Sequence, residues 1–170
     1  PDIQPAPRIS RPVAALASGE RGLYFTDSGD GVAPHRLQIW DFASHAETMS
    51  LPVSSISNGE RWDFYHADIS ADDRVCTLAL ISGQGNDVHW QIQTLDLVGR
   101  TRLWTESFTH QPLGLALSPD GTRLAVVWSD ISQIQMRDAS TGSRLWLQTI
   151  GPVVPDAISF SPDGTKLAVA

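Results

Sequence analysis

Short runs rich in apolar residues recur along this chain, and turn-forming residues separate them. Four such runs lie between positions 113 and 149, and each would place successive side chains on opposite faces of an extended strand. They are Leu113–Leu117, Arg123–Trp128, Gln133–Arg137 and Arg144–Thr149. No stretch keeps the helical spacing of apolar residues for three turns. The pattern therefore predicts an all-β chain of short strands.

A phrase that predicts a turn occurs twice near the C-terminus. Ser-Pro-Asp-Gly-Thr begins at Ser118 and again at Ser161, 43 residues later, and a basic residue and Leu-Ala-Val follow each copy. Proline sets the first corner, aspartate bonds its own backbone, and Gly121 or Gly164 takes the left-handed position. Weaker copies lie upstream, so the anchoring serines are Ser18, Ser70, Ser118 and Ser161. The steps of 52, 48 and 43 residues indicate a repeat with insertions in the longer steps.

A second phrase recurs at the same point of three repeats. It has the order apolar, Gln, variable, variable, Asp, and it ends at Asp41, Asp96 and Asp138. An aspartate that caps the turn at the end of a strand explains this order. Another turn and another short run follow, so each period holds four strands. Four antiparallel strands in a period of about 40–45 residues are typical of one blade of a β-propeller.

These phrases resemble the WD40-like β-propeller family, whose blades commonly carry a Ser-Pro-Asp-Gly hairpin and end the third strand on Trp-Asp. Trp40-Asp41 matches that ending, and Leu95-Asp96 and Arg137-Asp138 stand at the matching positions. Two related families remain alternatives. The segment from Asp138 to Trp146 also resembles the repeat of quinoprotein-like propellers, and the Ser-Pro-Asp-Gly phrase also occurs in propellers that resemble the Tol-system periplasmic protein.

The resemblance implies an all-β fold, a β-propeller of four-stranded antiparallel blades with about three and a half blades in this chain. We expect a proline-rich linker or donated strand at 1–12, blades at 13–55, 62–110 and 112–150, and the first hairpin of a fourth blade at 156–170. Closed propellers have typically 4–8 blades. The expectation is therefore a piece of a longer chain, with self-association of two copies to close the ring as the alternative.

The charge and the cysteine content narrow the choice of partners and compartment. Twelve basic and 19 acidic residues give a net charge of −7, which argues against a general affinity for nucleic acid or for anionic membranes. No run of 18 or more apolar residues occurs. The single cysteine, Cys76, lies in an apolar run and predicts a buried thiol. An intracellular, cytoplasmic location is expected, with the periplasm as the alternative.

Candidate catalytic and metal-binding residues have a simpler structural explanation. Most aspartates fall at equivalent turn positions of the repeats, and the histidines lack the spacing of a zinc site. The loop Asp27–Gly31 has the composition of a cation-binding turn but lacks the spacing of an EF-hand, so a flexible loop is favoured. Among the histidines, His66 is the strongest candidate ligand, because it follows Tyr65 ahead of a strand, although a structural role is favoured for it. We therefore predict no catalytic residue, no metal and no cofactor.

Six tryptophans are the most unusual feature of the composition. Trp104 and Trp146 take equivalent places in fourth strands and Trp128 ends a second strand, so packing between blades explains all three. Aromatic side chains on a propeller rim are good anchors for a protein partner, because they offer a large area at little entropic cost. Four candidate partner-binding residues stand together at the beginning of the second blade: Trp62, Phe64, Tyr65 and His66.

The resemblance implies a non-catalytic scaffold for protein–protein interaction, whose loops bind one or more protein partners within a larger assembly. Two other functions remain open. One is an enzyme, quinoprotein-like or hydrolytic, with a pocket on the propeller axis, and a bound quinone would then absorb light above the tryptophan band. The other is a periplasmic binding propeller.

Overall fold

The computed structural model describes residues 10–15, 20–26, 36–52, 62–84, 87–129, 131–151, 155 and 157–170, and for residues 10–15, 62, 63 and 84 it describes the backbone alone. Within these residues every regular element is a strand, which confirms the all-β prediction. The strands are β1 (Ser10–Ala15), β2 (Arg21–Thr26), β3 (Arg36–Asp41), β4 (Ala46–Pro52), β5 (Trp62–Ile69), β6 (Val75–Gln84), β7 (Asp87–Asp96), β8 (Thr101–Phe108), β9 (Pro112–Leu117), β10 (Arg123–Trp128), β11 (Gln133–Asp138), β12 (Arg144–Thr149), β13 (Ile158–Phe160) and β14 (Leu167–Val169).

The strands form successive antiparallel sheets in which neighbours in sequence are neighbours in the sheet. β1–β4 make the first blade, β5–β8 the second and β9–β12 the third, and β13 pairs with β14 as a separate hairpin. In the third blade, the predicted strands agree with the observed ones to within one residue at each end. β1 begins at Ser10, inside the predicted linker or donated strand, of which residues 1–9 lie outside the described part of the chain.

The Ser-Pro-Asp-Gly turns fold as the sequence predicts. The Ser118 hydroxyl donates a hydrogen bond to Asp120 Oδ1 at 2.6 Å and accepts one from the backbone N–H of Arg123 at 2.9 Å. Gly121 and Gly164 have φ angles of 67° and 68°, which confirms the predicted left-handed conformation. A side chain at such a position would cost free energy because its Cβ crowds the backbone.

The weaker copy of the phrase forms the same turn in the second blade. The Ser70 hydroxyl donates to Asp72 Oδ1 at 2.7 Å and accepts the N–H of Val75 at 2.9 Å. Asp73 takes the place of the glycine, with φ of 57°. Aspartate tolerates this conformation better than most residues with a Cβ. The repeat therefore extends to Ser70, whereas the copy at Ser18 lies outside the described residues.

The turns of successive blades also stack on one another. The N–H of Ala71 donates to the carbonyl of Pro119 at 3.1 Å, which joins the turn of the second blade to the turn of the third. A Cβ added at Gly121 would lie 3.0 Å from Val75 Cγ2 and 3.2 Å from Ser70 Cβ. Glycine is therefore needed at this turn for space as well as for its backbone conformation.

Three apolar clusters hold neighbouring blades together, and the alternation of the strands assigns each side chain to one of them. Leu78 and Leu80 of β6 pack against the first blade, whereas Ala79 between them packs against the third. The third cluster joins Ala125 of β10 to the β13–β14 hairpin. Burial of a leucine of this kind stabilises the fold by about 1.5–3 kcal/mol.

The first strand of each blade lies innermost. β5 contacts β1 and β9, and β9 contacts β13, so these strands stand side by side around a common axis. The fourth strands lie outermost, and every residue of β12 is exposed. Each innermost strand is hydrogen-bonded on one side only within its sheet. The backbone groups of its other edge therefore need partners outside the sheet.

Candidate binding site

A pocket of about 380 Å³ lies where the innermost strands β5, β9 and β13 come together. Its lining consists of residues 66–69, 71, 115–117, 119 and 158–160, and we call it the axial pocket. Its volume falls in the range of ligand-binding pockets. Apolar residues make up most of the lining, and the polar side chains among them belong to His66, Asp68 and Ser159.

Asp68 joins two blades at the wall of the axial pocket. Its Oδ2 accepts the backbone N–H of Leu117 at 2.6 Å, which links β5 of the second blade to β9 of the third. Burial raises the pKa of Asp68 above its ordinary value of 3.8, while the Leu117 N–H and the nearby charge of His66 act in the opposite direction. Desolvation therefore outweighs the favourable contacts of this carboxylate.

The repeat does not explain the acid and the histidine of the axial pocket. Asp68 stands two residues before its anchoring serine, and the equivalent residues of the next blades are Ala116 and Ser159. His66 stands four residues before that serine, and its counterpart in the third blade is Gly114. The second blade alone brings both groups to the axis among the described blades. Sequence analysis singled out His66 but missed Asp68, although the departure from the repeat was visible.

Tyr65 lies on the innermost strand β5 next to His66 of the axial pocket, not on an outer rim of the propeller as the sequence predicts, and it is 38 % exposed. The pairing of β5 with β6 shifts register between Phe64 and His66, so Tyr65 is the extra residue of a β-bulge. Its ring packs edge-on against Trp90, with ring centroids 4.8 Å apart. Its hydroxyl accepts a hydrogen bond from Gln111 Nε2 at 2.9 Å, just ahead of the third blade. Tyr65 is thus an exposed aromatic ring that two blades hold in place.

The other two predicted rim aromatics have different positions. Phe64 is half-buried, and its ring packs against Phe25 of the first blade with centroids 5.2 Å apart. Its observed contacts therefore belong to packing between blades. Trp62 begins β5, and its side chain lies outside the described part of the chain.

The aspartates of the repeat phrases serve the turns, as the sequence predicts. Asp138 Oδ1 accepts the hydroxyl of Ser140 at 2.6 Å together with two backbone N–H groups. Hydrogen bonds of this kind, led by the neighbouring serine, lower the pKa of Asp41, Asp120 and Asp138, and that of Asp163 to about 2. These carboxylates are committed to structure, which sets Asp68 apart because its pKa moves in the opposite direction.

The tryptophans show how the outer strands meet. Trp104 confirms the predicted packing between blades, because its Nε1 donates to the carbonyl of Ala139 at 2.8 Å and its ring lies against Gly142. Trp128 is buried and packs against a ring of β8 in the preceding blade. Trp146 is 44 % exposed instead. Trp104 packs on the turn between the third and fourth strands of the next blade. The described part of the fourth blade has two strands, so among the described residues Trp146 lacks the corresponding turn.

The remaining predictions concern the cysteine, a loop, metal sites and membrane spans. Cys76 is fully buried, as predicted, and burial raises the pKa of its thiol. The loop Asp27–Gly31 lies outside the described residues. Within the ranges that the structure describes, no three His, Cys, Asp or Glu side chains cluster closely enough to hold a metal ion. In the same ranges, no helix is long and apolar enough to cross a membrane.

Comparison with known proteins identifies the fold. No protein-family model and no curated protein matches the chain. Among solved structures, it is similar to hydrazine synthase of Kuenenia stuttgartiensis, with a TM-score of 0.62 and 10 % identity over 91 % of this chain and 56 % of that one. It is also similar to the β-propeller domain of Myceliophteria thermophila Cps50 (Swd1), with a TM-score of 0.63 and 14 % identity over 94 % of this chain and 50 % of that one. The chain thus spans about half the length of these structures, and its four-stranded blades form part of a β-propeller.

Proposed function

We propose that this chain forms part of a WD40-like propeller that binds protein partners and catalyses no reaction, in an intracellular compartment. The observation that carries the proposal is Tyr65, an exposed aromatic side chain fixed at the junction of two blades. The propeller fold and the Ser-Pro-Asp-Gly and Trp-Asp phrases support the same function. They resemble those of a family of interaction scaffolds.

The fixed position of Tyr65 favours binding energetically. Ordering a mobile side chain at an interface costs about 0.5–1.5 kcal/mol. Trp90 and Gln111 already hold the Tyr65 ring, so most of this cost falls on folding and little on binding. A large ring with a polar hydroxyl also suits an interface, because it can bury apolar area while the hydroxyl keeps a hydrogen bond. The surface at Tyr65 therefore has the properties of an interaction hot spot.

A comparison of two single variants tests the proposal. Tyr65→Ala removes the anchor, and Val98→Ala is the matched control because Val98 is another exposed apolar residue of the same blade, on the β7–β8 turn. Proteins from an extract of the source organism are captured on the immobilised chain and quantified by mass spectrometry. We expect a defined set that the wild type and Val98→Ala retain and Tyr65→Ala loses. Equal capture by all three chains, with circular dichroism showing all three folded, would contradict the proposal.

A further inference from the structure

The axial pocket contains a carboxylate, Asp68, that has lost hydration without gaining a lysine or arginine partner, and its walls are mostly apolar. Asp68 is half-buried, and its Oδ2 is already engaged with the N–H of Leu117 at 2.6 Å. In the described part of the chain, no lysine or arginine lines the pocket, and the one basic side chain there is His66. A carboxylate withdrawn from water without a permanent positive partner is under-stabilised. A cation entering the pocket would supply what the Asp68 carboxylate lacks.

Arg123, which contacts the pocket residue Phe160, has its guanidinium group engaged outside the pocket. Arg123 lies over the ring of Phe160, with its guanidinium carbon 5.6 Å from the ring centroid. It donates to the carbonyl of Gly164 at 2.7 Å and is not among the residues that line the axial pocket. Its contacts join the third blade to the β13–β14 hairpin, so it braces the wall of the pocket without neutralising Asp68.

The remaining lining is suited to an apolar stem that carries a charge. Ile69, Ile158 and Phe160 line the pocket and are each partly exposed. Their side chains would cover the methylene groups of an alkyl chain. The innermost strands also have one edge outside their own sheets, where backbone carbonyl oxygens can accept hydrogen bonds. Ammonium and guanidinium groups carry three and five N–H donors respectively, which suits such an edge.

We propose that the axial pocket binds an alkylammonium or alkylguanidinium group, with the Asp68 carboxylate as its counter-ion and the apolar lining around its stem. This chemistry has two possible sources, a lysine or arginine side chain of a protein partner and a free small amine. The first source rests on the proposed interaction function, since the partner anchored at Tyr65 would insert the side chain. The second source is independent of that function.

The test uses small probes and two matched variants. The probes are n-butylammonium, n-butylguanidinium and the neutral n-butylurea, and binding is followed through the amide resonance of Leu117, whose N–H contacts Asp68. Asp68→Asn removes the charge but keeps an oxygen that can accept the Leu117 N–H, so the pocket should keep its shape. Asp87→Asn is the control, because Asp87 is an exposed acid outside the pocket, with a side chain 91 % accessible.

We expect both cationic probes to bind the wild type and Asp87→Asn with dissociation constants on the order of 1 mM, as suits ligands of this size. Asp68→Asn should weaken binding at least about tenfold, because a charge-assisted hydrogen bond is lost. n-Butylurea should bind no more tightly to the wild type than to Asp68→Asn. The proposal is overturned if neither cation binds, if Asp68→Asn binds them as well as the wild type does, or if n-butylurea binds as tightly as n-butylguanidinium.

A second set of probes separates the two sources. Short acetylated peptides with one central lysine or arginine present the same group on a backbone. A partner's side chain is the source if these peptides bind the wild type more tightly than the butyl probes and if Tyr65→Ala removes the difference. A free amine is the source if the peptides bind less tightly. Loss of protein capture in Tyr65→Ala without any binding of cations would leave the interaction function standing and overturn the axial-pocket proposal alone.

Discussion

Replacement of Trp104 by phenylalanine should destabilise the chain far more than the same replacement of Trp146, although the two tryptophans occupy equivalent places in their blades. Trp104 donates to the carbonyl of Ala139 at 2.8 Å and covers Gly142 of the next blade. Trp146 is 44 % exposed on the outermost strand β12. The pair therefore isolates the contribution of packing between blades from the properties of tryptophan itself.

The magnitude follows from the contacts of Trp104. Loss of the hydrogen bond costs about 1 kcal/mol. The carbonyl of Ala139, a fully buried residue, also loses its hydrogen-bond donor, and the smaller phenylalanine ring leaves part of the space empty. Together these effects should lower the free energy of unfolding by about 2 kcal/mol. A loss of this size lowers the melting temperature of a chain of this length by about 4–8 °C. For Trp146→Phe we expect a change below about 0.5 kcal/mol, as for other exposed positions.

Urea denaturation followed by far-ultraviolet circular dichroism measures both variants without depending on tryptophan fluorescence. The slope of the free energy of unfolding against urea should stay unchanged, so that the midpoints can be compared directly. Equal losses of stability in the two variants would refute the argument that Trp104 owes its effect to the neighbouring blade.

Three further predictions concern the turns. Gly121→Val should destabilise more than Gly164→Val, because an added Cβ would approach its neighbours to 3.0 Å at the first position and to 3.3 Å at the second; thermal melts check the order. Arg100→Gly should stabilise the chain by about 0.5–1 kcal/mol, because Arg100 is exposed and has φ of 55°, a left-handed conformation that glycine adopts at lower cost. Urea denaturation measures the gain, and a loss of stability would contradict this prediction. Hydrogen bonds from the Ser161 hydroxyl and from Thr165 lower the pKa of Asp163 from 3.8 to about 2, so the stability that this carboxylate contributes is present above pH 3.8 and is lost as the pH falls toward 2. Asp163→Asn should therefore reduce the dependence of the free energy of unfolding on pH between these two values. An unchanged dependence would be inconsistent with the turn geometry.

The blades could be predicted because each of their signals is local. The turn at Ser118 needs only the residues of its own phrase, and the same hydroxyl-to-backbone bonds recur at Ser70, where the phrase is degraded and Asp73 replaces glycine. Successive side chains of the strands between such turns point to opposite faces, which also sets the blade that each side chain contacts. Sequence therefore predicted the strands of the third blade to within one residue at each end.

The binding site depends on how the blades meet, which local pattern does not encode. Asp68 bonds Leu117, 49 residues along the chain, and this contact exists only once β5 and β9 stand side by side. The four candidates were close together in sequence, but successive side chains of β5 point to opposite faces, so Phe64 packs on the first blade whereas the Tyr65 ring is exposed. The bulge at Tyr65 recurs at the equivalent positions of the first and third blades, so it belongs to the repeat. The departure of Asp68 from the repeat was the one signal available in advance.

A pH titration of the Leu117 amide resonance by nuclear magnetic resonance tests most directly whether the blades meet along their innermost strands as described. Because the Leu117 N–H donates to Asp68 and burial raises the pKa of that carboxyl, the amide should shift strongly with a midpoint above pH 3.8. The shift should disappear in Asp68→Asn. A Leu117 amide that does not titrate would contradict the contact between β5 and β9, and an amide that titrates below pH 3.8 would contradict the burial of Asp68 in the axial pocket.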